Sequence, residues 1–173
     1  MTVSLDDVFV KTCLQILEST ALQLDKAEEY CKAKGLSPEV VAEARLAPDM
    51  WSYAKQVTQV VHHSAGAIAG VREGVFGPDL DPAPSDFAAP RSEVARAIDM
   101  LRALPAGELD SIADRDMRFE FGPRRMDFTV ADFLLSFSLP NFFFHATTAY
   151  GILRHLGVDI GKKDYIGQVR LKP

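Results

Sequence analysis

Residues 139–157, LPNFFFHATTAYGILRHLG, hold a long helical period with apolar residues at nearly every angle and a polar line down the middle. At about 100° per residue, Leu134, Ser138, Asn141, His145, Thr148, Ala149, Ile152 and Leu156 share one stripe. The centre of that stripe (Ser138, Asn141, His145, Thr148) is polar and its ends are aliphatic. Phe142, Phe143 and Phe144 leave the axis in three directions, which predicts a helix covered all round by its own chain or a partner. An imidazole inside such a helix needs a hydrogen-bond partner, a metal or a substrate. His145 is therefore the first candidate site residue.

The same helix starts further back. Thr129-Val-Ala-Asp132 has the spacing of a capping box, so the predicted element runs from Val130 to about Leu156 and closes at Gly157. Pro140 falls inside it, which predicts a kink beside His145. Just before it the period changes from 3.6 to 2. Residues 117–121 (MRFEF) alternate, GPRR turns, and residues 126–129 (MDFT) answer, predicting a small inserted β-hairpin at about 117–128.

Towards the N-terminus three more long helices and one short one can be read. Leu5 to Lys34 carries apolar residues at steps of three and four and ends at Gly35. A short helix follows Ser37-Pro38, a cap with proline at the first helical position. A second long helix spans about Met50 to Glu73, with Asp49 as the expected cap. His62 heads a line of small residues (Thr58, Ala65, Ala69) that suits a close helix approach or a pocket. His63, among Gln56 and Gln59, reads as facing solvent. Residues 74–84 (GVFGPDLDPAP) have no period and form a long crossover. A third long helix starts between Ser85 and Pro90 and runs to Leu104, burying Phe87, Val94, Ile98 and Leu101. The expected fold is all-α: a four-helix bundle with one long crossover and the hairpin, in a single domain over 1–173 whose tail, 158–173, docks on the body.

The balance of charge excludes some functions. A formal net charge of −5 argues against nucleic-acid binding, which calls for a basic patch. No apolar run approaches the ~18 residues of a membrane span, and the acidic start MTVSLDD lacks the marks of a signal peptide. Cys13 and Cys31 lie on one predicted helix, roughly 27 Å apart at 1.5 Å per residue, too far for a disulfide. Reduced core thiols fit the cytoplasm, the expected location.

Three separated motifs carry a family resemblance: RLAPDM at 45–50, PNFFFHATTAYGILRH at 140–155 and GKKDYIG at 161–167. Together they resemble the bacterial family called domain of unknown function nineteen ninety-three, over essentially the whole chain. That family looks like a branch of the DinB/YfiT-like four-helix bundles, which are read as metalloenzymes. Their usual site takes one histidine from the second long helix and two, four residues apart, from the fourth. The resemblance assigns the first of that pair to His145. The second falls at Ala149, which has no ligand atom, and His62 is the best-placed counterpart on the second helix. The implied metal site (His62 and His145 with a divalent ion, zinc or nickel) is thus one ligand short.

Two functions remain open on the sequence. In the first, a pocket between the second and fourth long helices acts on a small molecule, as a metal-assisted transferase or hydrolase or with His145 as general base. Asn141, Thr148 and Tyr150 then position the substrate. In the second, the chain is a non-catalytic binding or structural protein with a degenerate metal site. The phenylalanines of the fourth helix predict a homodimer in either case.

Overall fold

The computed structural model describes residues 3–172. A π-turn at Asp6–Val10, which buries Phe9, leads into α1 (Lys11–Lys34), which buries Cys13, Leu17, Leu24, Ala27 and Cys31 along one stripe. It stops at Gly35, whose φ of 63° only glycine adopts without strain. α2 (Pro38–Ala42) follows Ser37. The second long helix starts later than the sequence suggests, because Ser52 and not Asp49 caps it, accepting from the Lys55 backbone N–H at 3.5 Å. It consists of α3 (Tyr53–Val61), a π-turn at His62–Gly66 and α4 (Ala67–Glu73).

The crossover is not wholly irregular. Val75–Phe76 form β1, which pairs in parallel with β2 (Asp116–Phe121), Val75 opposite Arg118. β3 (Arg124–Thr129) pairs antiparallel with β2, Met117 opposite Phe128. The expected hairpin is thus the larger part of a three-stranded sheet. β1 lies hard against α4: a Cβ on Gly70 would come within 2.9 Å of Phe76 Cδ2. Between the strands run α5 (Ala88–Arg102), whose Val94, Ile98 and Leu101 are buried as predicted, and α6 (Glu108–Ser111).

The fourth long helix begins with α7 (Val130–Asp132), capped by Thr129 Oγ1, which accepts from the Asp132 N–H at 3.1 Å. A π-turn (Phe133–Ser138) and α8 (Leu139–Leu156) complete it. The π-turn explains how Pro140 is accommodated. The Leu139 N–H reaches back five residues to Leu134 O, so the ladder has already slipped when proline arrives. Pro140 then sits in the first turn of α8, where its missing donor costs little. The π-turns of the two long helices touch: Ser138 Oγ donates to His63 O at 2.9 Å. α9 (Lys162–Ile166) docks the tail on α1, with Gln15 Nε2 donating to Ile166 O at 2.8 Å.

Its own chain does not cover α8 all round. Phe142 is fully buried, contributing about 2 kcal/mol by its apolar area, whereas Phe144 is 58% exposed. Leu46 and Trp51 are exposed on the neighbouring segment. Among the described residues no helix is long and apolar enough to cross a membrane.

Candidate functional site

α3 is the helix most enclosed by the rest of the chain, and it buries polar side chains on adjoining faces. Gln56, Val60 and His63 turn one face towards α8, and Lys55, Gln59 and His62 turn the next towards the crossover. Gln56 is 2% exposed and Gln59 is also buried. His63 is buried too, so the expectation of a solvent-facing His63 is corrected. The face that reads as solvated by polarity is the one packed against His145.

His145 is buried and held on three sides. Its Nδ1 lies 2.7 Å from Gln56 Oε1. Gln56 Nε2 in turn donates to Trp51 O at 3.3 Å, which keeps the amide oxygen pointed at the imidazole. That oxygen only accepts, so the His145 proton sits on Nδ1 and Nε2 keeps its lone pair. Trp51 stacks on the imidazole with ring centres 5.6 Å apart and planes 20° apart. His63 stacks on it at 5.6 Å and 15°. Burial pushes the His145 imidazole down to about 4, helped by the His62 charge. Burial, then the charges of His62 and His145, push His63 down to about 3. Both rings are neutral at neutral pH. His63 Nδ1 is buried without a hydrogen-bond partner among the described residues.

His62 is placed differently from the expectation. Its Nε2 donates to Gly77 O at 2.8 Å, and its ring stacks on Phe76 at 4.3 Å. Its Nδ1 lies against its own helix, 3.3 Å from where a Cβ on Gly66 would stand. Neither nitrogen is directed at His145; the imidazole that faces His145 is that of His63. Ala149 is buried and supplies a methyl group where the resemblance puts a ligand. Asp79 is bonded to Lys55 and Gln59. Among the described residues no three His, Cys, Asp or Glu side chains gather in a way that holds a metal ion. The residues present therefore do not fit a three-imidazole centre.

The other candidates divide. Asn141 Nδ2 donates to Phe137 O and Thr148 Oγ1 to Phe144 O, each at 2.7 Å, so both spend a donor on their own helix. Thr148 is buried on the His145 side, whereas Tyr150 packs on Tyr165 of α9 at 5.7 Å and faces the tail. Sequence reasoning missed Gln56, His63 and Trp51 as neighbours of His145. The signal was present in the seven-residue spacing of Gln56 and His63, which puts them on one face. Their polarity assigned that face to water.

The family described as Domain of unknown function (DUF1993) matches residues 5–166. Among solved structures, a DinB family member protein from Shewanella denitrificans is similar, with a TM-score of 0.81 and 28% identity. The match covers 98% of this chain and 95% of that one. No curated protein matches the chain.

Proposed function

Since the chain belongs to the DUF1993 family and has the DinB-like helical fold with a small inserted sheet, we propose that it is a small-molecule-binding protein that works without the metal centre. Its site is the neutral imidazole pair His63–His145, oriented by Gln56 and flanked by Trp51. The observation that carries this reading is how the ring nitrogens of the two expected ligands are used. His62 Nε2 is bonded to Gly77 O and His145 Nδ1 to Gln56 Oε1, while position 149 has no donor. Among the described residues neither His145 Nε2 nor the buried His63 Nδ1 has a hydrogen-bond partner, and the unpartnered buried His63 nitrogen is costly until something bonds to it. Neutral imidazoles in an apolar setting favour an uncharged group with an O–H or N–H donor. At pH 7 an imidazole whose pKa is depressed to about 4 is also a poor proton acceptor, which favours binding over general-base catalysis.

The test is metal content on untagged protein purified without chelator, beside His145→Ala and Ala149→His. We expect far less than one ion per chain in all three, because restoring the missing imidazole leaves His62 turned to Gly77. Near-stoichiometric zinc or nickel in the wild type, lost in His145→Ala, would overturn the proposal in favour of metal-assisted transfer or hydrolysis.

A further inference from the structure

Beside the imidazole pair, the adjoining face of α3 holds a second polar arrangement. Lys55 Nζ and Gln59 Nε2 both donate to one oxygen, Asp79 Oδ2, each at 2.9 Å. Lys55 Nζ also donates to Asp81 O at 2.7 Å and lies 5.9 Å from the centre of the Trp51 ring. Its side chain is 7% exposed. An ammonium removed from water to this degree requires a counter-charge. The carboxylate that supplies it belongs to the crossover, in residues 77–87, and not to any helix packed on α3.

Cavities of about 260 and 280 Å³ flank this contact, and both are lined by Lys55, Asp79 and Asp81. Arg45 and Trp51 line the first, and among the described residues Arg45 makes only a 3.4 Å hydrogen bond to Met50 O. His62 and the acid Glu93 line the second. Without Asp79 and Asp81 the first cavity presents Lys55, Arg45 and an indole face, with Gln59 behind them and no acid.

We propose that Lys55, Gln59 and Arg45 form a receptor for a small organic carboxylate, and that Asp79 is a built-in surrogate occupying it. An incoming carboxylate displaces Asp79, lifts the crossover and joins the two cavities. Because Asp79 is tethered, it competes at an effective concentration of about millimolar or more. A ligand that wins must add contacts Asp79 lacks, which the Trp51 face and Arg45 offer to an aromatic carboxylate. The site shares the Trp51 indole with the reading above but takes its charge contacts from Lys55 and Arg45 and none from His63 or His145, so the Lys55→Met control below fails separately from the metal test.

The experiment removes the surrogate and supplies the probe from solution. Asp79→Ala is titrated with sodium acetate and sodium benzoate, with sodium chloride at equal ionic strength as control. Melting temperature and the fluorescence of Trp51, the chain's single tryptophan, are followed. We expect acetate to raise the melting temperature of Asp79→Ala saturably, with a midpoint at least about tenfold below that in the wild type, and benzoate to bind more tightly still. Adding Lys55→Met should abolish both responses. Should Asp79→Ala not fold, Asp79→Asn carries the same expectation with the loop's shape retained. An acetate response no larger than that to chloride, or one that survives Lys55→Met, overturns the proposal.

Discussion

Acid should unfold this protein earlier than its carboxylates alone require, and His63 is where to look. Its folded pKa, about 3, lies far below the ordinary imidazole value, so the unfolded chain binds a proton that the folded chain refuses. Stability is then complete above the unfolded value of about 6.5 and is lost as the pH falls towards the folded one. At pH 5 an unfolded imidazole is nearly all protonated while His63 and His145 are still neutral, which costs about 2 kcal/mol for each. That figure depends on the unfolded pKa and hardly at all on the folded one, once the latter is a unit below the working pH. Between pH 6 and 5 each ring should contribute a slope of about 1.2 kcal/mol per pH unit. His62, also lowered by burial, acts in the same direction. Set against a typical domain stability of about 5–15 kcal/mol, the sum is easily measured. The assay is urea unfolding at pH 5, 6 and 7, followed by Trp51 fluorescence and circular dichroism, for the wild type and His63→Phe. Phenylalanine fills the same space and does not titrate, so the variant should lose about 1.2 kcal/mol per pH unit of slope. An unchanged slope would refute the buried, neutral His63 and the stacking that follows from it.

Two further substitutions probe the site and the frame that holds it. Gln56→Glu puts a carboxylate 2.7 Å from His145 Nδ1 and should raise that imidazole by at least about one pH unit, read from its ring-proton NMR titration; no rise would show that Gln56 does not set the tautomer. Gly70→Ala places a methyl 2.9 Å from Phe76 Cδ2 and 3.2 Å from Val75 O, so β1 must move; a loss of about 1–3 kcal/mol is expected in urea unfolding, and none would mean that β1 does not rest on α4.

Much of the fold can be read locally. Helix ends at Gly35, Gly74 and Gly157 coincide with left-handed backbone, and Thr129 caps as its spacing predicts. The period-two alternation of residues 117–121 and 126–129 identifies the hairpin because the strands are neighbours in sequence. β1 escaped because two residues show no period and its parallel partner lies some 40 residues away. The site was harder for a different reason. His145 stood out because a polar group on an apolar helix is a local signal. Lys55, Gln56 and Gln59 look like a wet face until their partners on the crossover and α8 are in place, and those partners are tertiary. The exposure of Phe144 was hidden in the same way, since periodicity gives a side chain's direction but not what lies opposite it.

The π-turn at His62–Gly66 bears on how such a chain changes over generations. A π-turn is a helix carrying one residue more than its hydrogen-bond ladder needs, so losing one codon there would restore the α-helix and leave the frame downstream intact. Because the π-turn takes up the extra residue, the parts on either side would keep nearly the same bearing to one another. With two histidines in tandem, losing either one leaves the other at the turn. In relatives that differ by such an indel, equivalent histidines would carry different numbers, and aligning them by position would pair the wrong ones.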